Sequence, residues 1–171
     1  MLKRAIVILN LAVLVVLASG LSAIAQTGSV ENQSAQDLLI KSEVETAVSM
    51  LQGLYTKHQQ GDMTFEQAKK LGTDLLRDLT YGEEGYFWAH TTEGINVVLY
   101  GRKDVEGMNR LETKDAKGKL YVKEMLATAA VGGGYVEYWF PKKGQSEAQP
   151  KRSYVLPFKP FGWVVGSGYY R

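Results

Sequence analysis

Cysteine is missing from the 171-residue chain, and histidine occurs only twice. A disulfide framework, a thiol nucleophile and a thiolate metal site are therefore excluded. His58 and His90 lie far apart and belong to no H-x-x-x-H or H-E-x-x-H pattern. His58 reads as a solvated helix residue, and His90 as a packed or surface strand residue. Gly166-Ser167-Gly168 lacks the spacing of a nucleophile elbow. Gly132-Gly133-Gly134 follows a predicted helix instead of preceding one, and lacks the Lys and Ser/Thr of a phosphate loop. Acidic pairs such as Glu83-Glu84 read as loop charges. No constellation for catalysis is found, and no cofactor or metal is implied. A large charge of one sign is also missing: 20 basic residues face 18 acidic ones.

What is present begins with a leader-like segment. Lys3 and Arg4 open the chain, Ala5 to Ala18 is apolar apart from Asn10, and Ala23-Ile24-Ala25 offers small residues for cleavage. This is the order of an export signal, with cleavage expected after Ala25. The alternative is an uncleaved anchor, because Ala5 to Ala25 carries no charge and is long enough to span a bilayer. Both readings place the rest outside the cytoplasm, periplasmic or secreted in the first case and anchored facing the periplasm in the second. Loss of Lys3 and Arg4 brings bases level with acids, so the remaining domain has no electrostatic case for nucleic acid.

Residues 26–33 read as a flexible polar lead-in and 34–171 as a single domain. Ser34 and Asp37 resemble a capping-box start. Ile40, Val44, Ala47, Val48, Leu51, Leu54 and Tyr55 then share one helical face. Thr64 and Gln67 form a second capping box ahead of Phe65, Ala68, Leu71, Leu75, Leu76 and Leu79. Beyond Tyr81 the pattern turns to short strands, expected near Gly85–Thr91, Ile95–Gly101, Gly134–Pro141, Lys151–Phe158 and Trp163–Tyr170. Lys142–Pro150 reads as a polar hairpin loop, and a helix is expected from about Gly118 to Val131. Two helices followed by a mostly antiparallel sheet imply an α+β domain. The helices cover one face. Loops or the third helix cover the other, where a small ligand would sit.

Tyrosine is the unusual residue: nine of the 10 tyrosines follow residue 80. Tyr86, Trp88 and His90 alternate on one strand face, as do Tyr138 with Val136 and Phe140, and Tyr154 with Arg152 and Leu156. Phenols combine an apolar ring with one hydroxyl and could line a pocket for a polar headgroup. Ordinary sheet aromatics, enriched by β-propensity alone, are the competing reading.

An ordered set of motifs runs from Leu76 to Tyr170. Leu76-Arg77-Asp78-Leu79-Thr80-Tyr81-Gly82 leads into Gly85-Tyr86-Phe87-Trp88, followed by Leu99-Tyr100-Gly101 and Glu106-Gly107. Asp115-Ala116-Lys117-Gly118-Lys119 and Gly134-Tyr135-Val136-Glu137-Tyr138-Trp139 come next. Pro150-Lys151-Arg152-Ser153-Tyr154-Val155 and Phe161-Gly162-Trp163-Val164-Val165-Gly166-Ser167-Gly168-Tyr169-Tyr170 complete it. In this the chain resembles the single Cache sensor domain, second subtype. The resemblance implies a PAS-like fold, with a long N-terminal helix on a central antiparallel sheet of about five strands. It also implies an extracytoplasmic sensor of chemoreceptors and histidine kinases, with ligands that are mainly organic acids of two or three carbons. The matching pocket positions are Tyr86, Trp88, Tyr100, Tyr138 and Tyr154, with Arg77 and Lys151 as cations for a carboxylate. The family often has His where Tyr100 stands.

A carboxylate taken from water needs a paired cation and satisfied hydrogen bonds. Arg77 and Lys151 each have a plainer reading, as a helix-end cation and an exposed strand residue. Ending at Arg171, the sequence is expected to bind a ligand and to signal through a partner, such as a membrane histidine kinase or chemoreceptor. The contrasting expectation is a structural or assembly protein of the cell envelope, with the aromatic face packed shut.

Overall fold

The computed structural model describes residues 31–171 with their side chains and, before them, helical backbone from Leu2. The chain divides into two units, Met1–Leu38 and Leu39–Arg171. The first is helical throughout its described part. The expected leader and most of the expected lead-in lie outside the residues described with side chains. Among the described residues no helix is long and apolar enough to cross a membrane.

The helix expected from Ser34 is the later part of α1 (Leu2–Gln59), which continues upstream of that residue. Ile40, Val44, Ala47, Leu51 and Leu54 are buried, as their spacing requires. Gly61 turns the chain, with φ of 85°. Thr64 then caps α2 (Phe65–Asp78): the Gln67 amide donates to Thr64 Oγ1 at 3.1 Å, and the Thr64 amide donates to Gln67 Oε1 at 2.8 Å.

The sheet has six strands, one more than the sequence suggested. β1 (Thr80–Tyr81) is only two residues long, too short to carry an alternating pattern. It is followed by β2 (Gly85–Thr91) and β3 (Asn96–Leu99). After α3 (Tyr121–Ala130) come β4 (Gly134–Pro141), β5 (Ala148–Phe158) and β6 (Trp163–Tyr170). The order is β1-β2-β6-β5-β4, with β3 also pairing β2, and every pairing is antiparallel. β5 begins three residues earlier than expected because Ala148, Gln149 and Pro150 pair with Pro141, Phe140 and Trp139.

Alternation gives the sheet two differently covered faces. One buries Phe87, Ala89, Tyr154, Phe158, Trp163 and Val165 with the apolar sides of α1 and α2. The other buries Tyr86, Trp88, Val136, Tyr138, Val155 and Val164 with Tyr121, Val122, Met125 and Ala129 of α3. Each fully buried large apolar side chain contributes about 1.5–3 kcal/mol. Gly166 belongs to the α3 side, and a Cβ there would collide with the Trp88 ring. The missing side chain is what lets the indole lie flat on the sheet.

Candidate functional site

Register determines which side chains meet under α3. Lys151 on β5 stands opposite Tyr138 of β4 and Tyr170 of β6. Lys151 is 1% exposed. Its Nζ donates to the Tyr86 hydroxyl at 2.6 Å. The ammonium also lies 4.1 Å from the Tyr86 ring centre, 4.8 Å from that of Tyr170 and 5.7 Å from that of Phe140. Among the described residues no carboxylate is paired with it. Burial alone pushes the Lys151 ammonium down to about 7.

The phenols around it form a connected set. The Tyr86 and Tyr170 hydroxyls are 3.4 Å apart, and Tyr170 donates to the Pro141 carbonyl at 2.8 Å. Burial raises the Tyr86 and Tyr138 phenols above their ordinary range, so both are neutral donors. Tyr138 shares a 3.0 Å hydrogen bond with Ser153 and stacks on Tyr121, with centroids 4.9 Å apart. Tyr100 stacks on Tyr86 at 5.5 Å and accepts from Lys143 at 2.9 Å.

A second unmatched cation lies nearby. Arg110 donates to the Tyr121 hydroxyl at 2.8 Å and to Thr113 at 3.1 Å, with no carboxylate partner among the described residues. With Trp88, His90, Tyr121 and Tyr138 it borders an interior space of about 20 Å³. Trp88 Nε1 and His90 Nδ1 are buried there without hydrogen-bond partners. Burial, and then the Arg110 charge, pulls His90 down to about 4, so the ring is neutral. A buried indole N–H without a partner is a group that an oxygen acceptor would satisfy.

Two expectations require correction. Tyr154 lies three residues from Lys151 on β5, and an odd separation puts it on the opposite face. There it packs in the α1–α2 core, 5.0 Å from the Tyr135 ring. Arg77 also stands outside the cluster. Its Nε and Nη2 each bond Glu106 at 2.9 Å, and Nη1 bonds Asp74 at 2.7 Å. Those bonds raise its already high pKa further, and its charge is matched. Tyr86, Trp88, Tyr100, Tyr138 and Lys151 do come together. Tyr170, Tyr121, Ser153 and Arg110 join them without having been singled out. Only β-register could have revealed Tyr170 and Ser153, and Arg110 sits in a loop that carries no pattern.

The hollow itself is also smaller than expected, because Trp88, Tyr121, Tyr138 and Phe140 fill most of it. The remaining 20 Å³ has room for about one water. Larger spaces flank it: a cleft of about 310 Å³ beside Tyr86, Tyr100 and Tyr170, and a groove of about 280 Å³ beside Tyr138, Lys151 and Arg171.

Residues 32–171 match the model of the family described as single Cache domain 2. The chain belongs to that family. The Cache domain is 34% identical over 124 residues to the sensor histidine kinase MctS of Rhizobium johnstonii, covering 72% of this chain and 26% of that protein. It is 30% identical over 128 residues to the methyl-accepting chemotaxis protein McpP of Pseudomonas putida, covering 74% and 24%. The chain thus spans about a quarter of the length of these curated relatives. A solved periplasmic sensor domain of a chemotaxis protein superposes with a TM-score of 0.78 at 29% identity, over 81% of this chain and 96% of that one. A solved Cache chemosensory domain that recognises a carboxylic acid gives 0.78 at 31% identity, over 82% and 96%. The protein is a Cache sensor domain homologous to those of chemoreceptors and histidine kinases, with a PAS-like α+β fold.

Proposed function

We propose that the domain binds a small organic acid, of two or three carbons, on the sheet face beneath α3. The observation that carries this reading is Lys151, buried without a carboxylate and held by one phenol. A buried cation without a counter-ion is costly, and an anionic ligand would offset that cost. The Tyr86 and Tyr138 hydroxyls, the free Trp88 N–H and Arg110 supply further donors. The surrounding rings limit the apolar end to a short chain. The similarity to a carboxylic-acid-recognising domain supports the same reading. Entry requires the rings to part, so occupied and empty states differ in shape, and a difference in affinity between states shifts their populations. A signalling protein of the histidine kinase or chemoreceptor class would read that difference outside the cytoplasm. Cleavage after Ala25 belongs to this reading, and the mass of the mature N-terminus tests it.

Thermal denaturation with acetate, propionate and their neutral amides tests the binding. An acid at one hundred times its Kd should add about 2.7 kcal/mol. The amides should add nothing, and Lys151→Met should abolish the acid response. Absence of any response to short acids would instead favour an envelope protein whose aromatic face is simply packed.

A further inference from the structure

We propose that Lys151 takes up a proton as an anion enters the site, so that acids bind less tightly as the medium turns alkaline. The inference rests on the carboxylate reading of this site and adds its regulation.

The geometry around the amine carries it. Each strand that packs against Lys151 presents neutral groups. β2 supplies the Tyr86 hydroxyl, β4 supplies Tyr138 and Phe140, and β6 supplies Tyr170. Tyr121 of α3 stands behind Tyr138. At the margins, Glu83 lines the cleft beside Tyr86 and Tyr170 without bonding the amine, and most other charges are matched or positive. Lys142 of the hairpin bonds Glu84. Glu137, on the other face of β4, is shared by Arg152 and Arg171. Lys119 pairs with Glu124, while Lys117 lies over the Trp139 ring. Among the described residues Arg110 bonds the hydroxyls of Thr113 and Tyr121. The carboxylate of Asp115, which borders the same groove as Lys151, accepts the backbone N–H groups of Lys117, Lys119 and Trp139. Among the described residues no carboxylate is paired with the amine, whose hydrogen bond goes to the Tyr86 hydroxyl.

In the empty protein the charged form therefore has ring faces and one phenol in place of water. Burial draws its pKa to about 7, while the ring faces favour the cation and keep the amine poised. A carboxylate at hydrogen-bond distance reverses the balance and restores the ammonium. The sign follows: affinity is greatest below about pH 7 and falls towards tenfold per unit above it.

Two measurements on the full chain test this. Side-chain NMR of labelled lysines in the empty protein should show one lysine titrating near neutrality, and that signal should be absent from Lys151→Arg. Calorimetry with acetate and propionate should show binding about thirtyfold weaker at pH 8.5 than at pH 6. Heats in HEPES and Tris should show nearly one proton taken up per acid at pH 8.5. If all lysines titrate near 10, the inference is overturned whether or not an acid binds. Equal affinity at both pH values also overturns it. If one lysine titrates near neutrality but no acid binds at either pH, the carboxylate reading falls and the coupling falls with it.

Discussion

At Lys151 the folded chain holds an ammonium that the unfolded chain leaves in water. Its neighbours on the same strand show how narrow the placement is. Ser153 shares its face, whereas Tyr154 points into the core on the other side. Removing the Tyr154 hydroxyl therefore touches nothing in the site. Tyr154→Phe should leave the response to acids unchanged, whereas Tyr86→Phe, which takes away the one hydrogen bond to Lys151, should weaken it. Titration of both variants by calorimetry checks this, and a loss of binding in Tyr154→Phe would contradict the placement. Alternation along the sequence identified Tyr86, Trp88 and His90 as one face, and it was correct. The same rule forbids Lys151 and Tyr154 from sharing a face, a conflict visible in their numbers alone. That Tyr170 stands opposite Lys151 depends on the pairing of β5 with β6, which no local pattern encodes.

Elements were more legible than side-chain partners. β2, β4 and β6 begin and end where the sequence placed them, because glycine or proline bounds each and aromatics alternate within. The α2 capping box was equally plain. The role of Arg77 was not. A cation in the last turn of a helix is favoured by the dipole alone, and its main partner, Glu106, lies 29 residues away. The forked contact ties α2 to the loop before Gly107, with Arg77 24% and Glu106 16% exposed. Arg77→Ala should cost about 1–2 kcal/mol in urea unfolding and leave acid binding intact. Loss of binding in a folded Arg77→Ala protein would return Arg77 to the site.

Across the whole molecule, two buried bases shape the dependence of stability on pH. His90 is held at about 4 against an ordinary 6.5, so its contribution is complete above 6.5 and is lost as pH falls towards 4. Lys151 is held at about 7 against 10.5. Its penalty is complete below 7 and fades as pH rises towards 10.5. The empty protein should therefore gain stability between pH 7 and about 9.5, by at most about 1.36 kcal/mol per unit. Above about 10 the buried phenols Tyr86 and Tyr138 favour the folded state less with each unit, since only the unfolded chain ionises them readily. Urea midpoints at pH 7 and 9.5 check the gain, which should vanish in Lys151→Met. A flat profile in the unaltered protein would show that the amine is charged throughout.

The hydroxyl of Ser167 sits on the side of β6 covered by α1 and α2, with Trp163 and Val165. It donates to the backbone carbonyl of Tyr86 at 2.7 Å and touches the Tyr81 hydroxyl at 2.5 Å. The phenol that accepts from Lys151 and the carbonyl gripped from behind thus belong to one residue. That residue joins the cluster around Lys151 to Ser167 and Tyr81 across the molecule's midplane.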